Sequence, residues 1–336
     1  MVAISVLDLV PVREGQEPGD ALRASIDLAR HAESLGYTRY WVAEHHNMVG
    51  IASAATAVVI GQLAAATKTI RVGAGGIMLP NHAPLIIAEQ FGTLEALFPG
   101  RIDLGLGRAP GSDGRTAFAL NPAANDRPEH FPADVRDLIA WVHNEPLIER
   151  HPFATVKAFP QGDTAPEIWV LGSSDYGAQV AALFGLPYCY AWFFSDGAGG
   201  ERAIDLYKRT YRPSARHPEP HSALCVWALA AETMEKAQYH FTSRALSRIN
   251  RDKNILGPLL PPDEAALAPV TAYEAAKMEQ FRKDSFVGTG PEVAARITEL
   301  KERVGVDEMA VVTWTHDEQV RRDSYAELAK AYGFAP

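Results

Sequence analysis

Cysteine is scarce in this chain. The 336 residues hold two, Cys189 and Cys225, both inside apolar runs that read as strands. That excludes a disulfide framework, and neither residue stands in a metal-type spacing. The pair reads as reduced core thiols of a cytoplasmic protein. Long apolar runs are also missing: no stretch approaches the ~18 residues that cross a bilayer. The apolar start, Met1 to Val10, is short and has no basic lead, so it reads as a first strand rather than a signal peptide. Positive charge is not in excess. The net charge is −9, which disfavours nucleic acid and anionic membranes as partners. The nicotinamide fingerprint is absent, since Gly105, Gly107 and Gly111 have the wrong spacing and no helix follows directly. There is no P-loop, no G-x-S-x-G elbow and no H-E-x-x-H metal motif.

What is present is alternation. Apolar content of 47% and charged content of 22% are ordinary for a globular protein, and the length suits one large α/β barrel or two domains. Strand-like segments at 3–9, 40–43, 70–74, 102–106, 168–171, 188–192, 223–229 and 308–313 alternate with helix-like ones. Eight strands, each followed by helix, predict a (β/α)8 TIM barrel, with an open doubly wound sheet as the alternative. Two segments break the rhythm: about 110–131 after strand four, and about 250–286 between strands seven and eight. Such insertions are usually lids or mobile loops. The helix expected over 53–66 carries Ala54, Ala55, Val58, Val59, Leu63 and Ala66 around nearly its whole circumference. It needs cover on both sides, from the barrel and from either a second subunit or a loop of the same chain; a dimer contact is the preferred reading.

Four segments fall where barrel strands should end, the place where barrel active sites gather. Trp41-Val42-Ala43-Glu44-His45-His46-Asn47 sets a carboxylate, two imidazoles and an amide directly after strand two. Alternation sends one of His45 and His46 to the cavity and leaves the other packed or paired. Imidazole suits proton transfer near neutral pH, although an isolated pair reads better as structural histidines. Gly75-Gly76 closes strand three, either a plain turn or a close approach to a flat ligand. The segment Gly100–Gly111 launches strand four and ends it on the glycine-flanked cation Arg108. Gly172-Ser173-Ser174 joins strand five to its helix. Ser174 alone reads as an ordinary N-cap; with Arg108 the segment reads as a phosphate site on a helix start. Trp192, Phe193 and Phe194, with Trp227 and Trp314, are divided between pocket lining and core.

Together these segments resemble the bacterial luciferase-like, flavin-dependent monooxygenase superfamily, in its single-subunit group. The resemblance covers nearly the whole chain and is carried by Trp41–Asn47, the run from Val72 through Pro84, Phe98–Gly111, Leu171–Ser174 and Gly185–Tyr188. It implies one TIM-barrel domain over 1–336 that binds FMN. His45 matches the catalytic histidine of the family, with Glu44 or Asn47 orienting it. Gly75-Gly76 falls where the family has a non-prolyl cis peptide beside the flavin ring. Arg108, Gly172, Ser173 and Ser174 match the phosphate contacts, Arg127 falls near a second phosphate arginine, and Trp192 is a candidate over the cofactor. Gly107 and Gly172 depart from luciferase itself, where a reactive cysteine and a phosphate-site glutamate stand, so light emission is not implied.

The activity implied is oxygenation of a small or medium organic substrate by O2. Reduced FMN would come from a separate NAD(P)H:flavin reductase, because nothing here is built for a nicotinamide. Three other readings stand beside it: deazaflavin-dependent hydride transfer on the same fold, a non-catalytic flavin-binding protein, and a metal-dependent barrel hydrolase. The homodimer is the expected assembly and no metal is expected.

Overall fold

A computed structural model describes residues 2–123 and 127–334, the side chain of Arg127 excepted. The first half runs β1 (Ala3–Asp8), α1 (Pro18–Ser34), β2 (Arg39–Val42), α2 (Thr56–Ala66), β3 (Arg71–Met78), a 3-10 turn (Leu79–Asn81), α3 (Pro84–Leu97), β4 (Ile102–Gly107), α4 (Gly114–Leu120) and α5 (Arg127–Val142). The second half runs β5 (Glu167–Gly172), α6 (Asp175–Phe184), β6 (Tyr188–Tyr190), α7 (Trp192–Ser195), α8 (Gly200–Thr210), β7 (Ser222–Ala231), α9 (Met234–Asp252), α10 (Pro262–Leu267), α11 (Ala272–Asp284), β8 (Phe286–Thr289), α12 (Gly290–Val304), β9 (Glu308–Val312) and α13 (Glu318–Ala331).

Strands β1 to β7 and β9 pair in parallel in that order, and β9 returns to β1, closing an eight-stranded barrel. This is the TIM barrel expected from the alternation, and the eight expected strands are its eight staves. The short strand β8 was not expected. It pairs only with the far end of β7, Ala228 to Ala231, above the closed ring.

Period-two alternation sorts the strand residues into two packed layers. One face of each stave, including Ile4, Val6, Tyr40, Val42, Val72 and Leu104, packs outward against the helices. The other face fills the barrel with Leu7, Trp41, Trp169, Cys189, Cys225, Trp227 and Val312. Both cysteines are therefore buried thiols. Trp41 and Trp169 meet edge to face at 5.2 Å, plugging the middle of the ring.

Below them the amino-terminal mouth is sealed by charge. Arg39 reaches Asp103 at 2.9 Å, Glu167 at 2.7 Å and Glu308 at 3.1 Å. Asp103 also accepts from Arg71 at 2.5 Å and from Trp41 Nε1 at 2.8 Å. Burial opposes the charge on Arg39, but the three surrounding carboxylates raise its pKa further than burial lowers it. Four separate staves thus share one guanidinium.

Three helix starts differ from expectation. α2 begins at Thr56 rather than Ser53, because the Ser53 hydroxyl donates to the carbonyl of Ala43 at 2.5 Å and holds that turn against β2. α5 begins at Arg127 rather than at Pro132, where the sequence pattern predicts a helix over 132–143, and so contains that proline, giving up one ladder bond. The strand expected to reach Trp192 ends at Tyr190, and Trp192 opens a helical turn. No loop of this chain covers the outer face of α2 among the described residues: Val58 is 69% exposed. No helix there is long and apolar enough to cross a membrane.

The 250–286 insertion is laced to the barrel rather than loose. Gly50 donates to Leu256 O at 3.1 Å, Leu259 to Val12 O at 2.9 Å, and Glu14 to Leu259 O at 2.9 Å. A Cβ on Gly50 would lie 2.4 Å from Gly257 O, so the two backbones touch. This strap crosses the carboxyl mouth of the barrel.

Removing the Arg39 guanidinium takes one cation from three clustered acids and leaves Arg71 to serve Asp103 and Glu167. Arg39→Ala is expected to lose about 3–5 kcal/mol of stability in urea unfolding, or to fail to accumulate as folded protein. A loss below about 1 kcal/mol would remove this ion cluster from the account of barrel closure.

Candidate active site

The carboxyl mouth holds two cavities that meet along His45, Leu9, Ala109, Phe193 and Phe194. The inner one, about 220 Å³, descends into the barrel beside Leu7, Trp41 and Gly75-Gly76. The outer one, about 430 Å³, lies beneath the strap and against α9.

The inner cavity gathers residues from the ends of seven of the eight staves, β1 to β7, and from α5. The Gly75–Gly76 peptide is cis, as the resemblance implied. A Cβ on Gly75 would stand 2.7 Å from Leu7 Cδ1, and one on Gly76 would stand 2.6 Å from Gly105 O. No side chain fits either position, so a flat ligand can approach the bare backbone. Arg108, at the end of β4, lays its guanidinium over the Tyr176 ring at 4.2 Å. Gly172, Ser173 and Ser174 line the same cavity. Tyr190 and Tyr188 donate to the carbonyls of Ser173 and Ser174, each at 3.2 Å, which fixes the turn from behind. Ser174 occupies the N-cap position of α6, yet its side chain makes no capping bond. The ordinary N-cap reading therefore does not describe it. Its hydroxyl, the start of α6 and the Arg108 cation together suit an anion.

His45 and His46 divide as alternation required. His45 lines both cavities, while His46 turns to Glu44 at 2.8 Å. Nδ1 of His45 is buried without a partner among the described residues. Burial lowers its pKa, and a backbone bond at Ala43 and the Glu44 charge only partly oppose this. The ring is neutral near pH 7, with one nitrogen unused.

Glu44 is buried outside both cavities and binds four groups. It accepts from His46, from His82 Nε2 at 2.9 Å, from Asn81 Nδ2 at 3.0 Å and from the Met78 backbone at 2.9 Å. Asn81 also donates to Pro110 O at 2.9 Å. The carboxylate ties the end of β2 to the end of β3 and, through Asn81, to the segment after β4. Asn47 is exposed, with φ +56°, and donates to Asp113 Oδ2 at 3.1 Å. Asp113 caps α4. Neither Glu44 nor Asn47 lines a cavity; both hold the loop that presents His45.

Trp192 is not brought to the site. Its ring packs where a Cβ on Gly197 would fall 2.2 Å away and one on Gly200 2.7 Å away. Its neighbours Phe193 and Phe194 line the cavities instead. The Arg127 side chain lies outside the described residues. Sequence reasoning missed Tyr176, His82, Asn81 and the arginines of α9. An aromatic two residues after Ser174 was the available signal for Tyr176; the others depend on tertiary contact.

Comparison with known proteins agrees with this geometry. The luciferase-like monooxygenase family matches residues 2–308, and the chain belongs to it. It is therefore an oxidoreductase of the monooxygenase type. A luciferase-like monooxygenase of Escherichia coli (strain K12) is 43% identical over 98% of this chain and 96% of its own. The crystal structure of apo-MsnO8 covers 100% of both chains at 34% identity, with a TM-score of 0.90. The oxygenating constituent of 3,6-diketocamphane monooxygenase from Pseudomonas putida, solved with FMN, shares the fold at 18% identity, with 98% and 97% coverage and a TM-score of 0.70.

Burial raises the pKa of Glu44, but the bonds from His46 and His82 and the other donors more than reverse this and hold it at about 2. Its folded value lies below its ordinary 4.5, so its stabilisation is present above that pH and lost as pH falls toward 2. The full span is worth about 3 kcal/mol. In urea titrations Glu44→Gln is expected to be less stable than wild type at pH 7, with the gap closing below about pH 4.5. A gap unchanged by pH would mean the bonds do not depend on ionised Glu44.

Proposed function

We propose that this monooxygenase uses reduced FMN, delivered by a separate NAD(P)H:flavin reductase, and O2 to oxygenate a small or medium organic substrate. One observation carries the reading: Arg108, Ser173 and Ser174 line the same cavity as Gly75-Gly76 and His45. A cationic, hydroxyl-rich corner at one end and a side-chain-free slot at the other match a phosphate tail and a planar ring. The unpartnered His45 nitrogen and the side-chain-free glycines are what a bound flavin would complete.

In this reading Arg108, Gly172, Ser173, Ser174 and the start of α6 hold the phosphate. Arg127 is assigned a second phosphate contact by the resemblance alone. Trp41, Leu7 and the Gly75-Gly76 backbone flank the ring. Reduced FMN, when bound, supplies the two electrons that let one oxygen atom of O2 enter the substrate while the other leaves as water. Neutral His45 accepts or returns a proton through its free nitrogen at the junction of the two cavities. Glu44, His82 and Asn81 keep that loop in place. Phe193, Phe194 and the strap exclude water from the reacting atoms.

A second copy of the chain is proposed to cover α2 and α3. Their outer faces expose the large apolar side chains Val58 at 69%, Ile86 at 50% and Leu97 at 65%, which a second copy would remove from water.

Titration with reduced FMN, reduced riboflavin and reduced deazaflavin tests the reading. FMN is expected to bind more tightly than the other two. Arg108→Ala is expected to weaken FMN by about ten- to a hundredfold and to leave riboflavin unchanged. Tighter deazaflavin binding would move the protein to hydride transfer. His45→Ala is expected to keep FMN affinity and lose substrate-dependent oxygenation; unchanged turnover would take the proton role from His45.

A further inference from the structure

The outer cavity has a wall of hydrogen-bond donors with nothing to receive them. Arg244, on α9, is only 5% exposed yet lines this cavity. Its Nε is buried without an acceptor, and no described residue forms a salt bridge or hydrogen bond with the guanidinium. The nearby carboxylates are taken: Asp196 binds Arg248 through two bonds at 2.7 and 2.5 Å, and Asp252 binds Lys277 at 2.7 Å. Arg251, on the same helix, lines the cavity too and adds further positive charge.

The guanidinium lies 3.8 Å from the centre of the Trp227 ring and 5.8 Å from that of Trp314. Nε1 of each tryptophan is likewise buried and unpartnered. Contact with ring faces compensates a desolvated cation only in part, and a buried charge without an opposite charge is costly. Burial, then Arg248 and Arg251, push the Arg244 pKa well down. An anion at this wall would supply the opposite charge that Arg244 lacks.

We infer that the outer cavity binds the carboxylate of an amphiphilic substrate on Arg244, with the apolar part of that substrate lying against Ile51, Trp227, Trp314 and Phe193. The planar guanidinium fork fits the two oxygens of a carboxylate, and the wall around it is aromatic and aliphatic. His45 is shared by both cavities, so a substrate anchored at Arg244 extends its apolar end toward the proposed flavin. The reacting carbon or heteroatom is then remote from the acid group. This assignment rests on reading the inner cavity as the flavin site and the outer one as the substrate site.

Isothermal titration calorimetry with octanoate, octane-1-sulfonate and octan-1-ol tests it, on the full chain with and without saturating FMN. Wild type is expected to bind octanoate at least about tenfold more tightly than octan-1-ol, with the sulfonate weaker than octanoate. Arg244→Gln is expected to abolish the difference, and Arg244→Lys to restore part of it. Equal affinity of wild type for octanoate and octan-1-ol, or no octanoate binding, overturns the inference. So does a preference that survives Arg244→Gln, or tighter binding of the sulfonate. The wild-type comparison decides the matter even if the variants do not fold. The FMN titration reads the other site separately: carboxylate selectivity without FMN binding leaves Arg244 in its role and removes the flavin.

Discussion

The site depends on one buried carboxylate. Glu44 follows β2 directly, and its four donors come from its own loop, from the end of β3 and from the turn beyond. The Glu44 backbone adds one bond to Gly76 O at 3.1 Å, and beyond it the carboxylate is what joins these side chains to one another. A charge buried without donors would be strongly unfavourable; with donors on every side it becomes a fixed pin. The next residue is His45, so the pin sets where the imidazole stands. Residues outside both cavities thereby set the geometry of the one that lines them.

The two ends of the barrel use charge in opposite ways. At the amino-terminal mouth Arg39 is surrounded by Asp103, Glu167 and Glu308, and the cluster is internally satisfied. At the carboxyl mouth Arg108 rests on a tyrosine ring and Arg244 on a tryptophan ring. Arg39 is matched by carboxylates of the barrel itself, whereas Arg108 and Arg244 line the cavities with no salt bridge among the described residues. In a chain of net charge −9, positive groups set into the cavity walls also favour the approach of anions over the rest of the surface.

The eight staves were legible because each is a short apolar run bounded by glycine, proline or charge, and because helices separate them. β8 was not. Its four residues run straight into the Thr289–Glu292 capping box, and a strand that short has no period to detect. That Arg108 and the Ser173-Ser174 turn line one cavity was legible, since a cation after one strand and hydroxyls after the next meet at the same rim. The role of Glu44 was hidden, because Asn81 and His82 lie beyond the following strand. Trp192 misled for a local reason: the stave ends before it, and Gly197 and Gly200 leave room for its ring on the other side. Arg244 was invisible, because the pattern of α9 is that of an ordinary charged helix and only packing removes that arginine from water.

The strap from Leu256 to Leu259 is held by main-chain hydrogen bonds to Val12, Glu14 and Gly50. Such bonds are indifferent to the side chains they carry. Ile255 and Leu256, which are not fully buried, can therefore be exchanged without dismantling the ceiling, while the corner around Arg108 stays untouched. A barrel of this kind can reshape the ceiling of its outer cavity by altering a few letters overhead, and leave the walls of the inner one as they are.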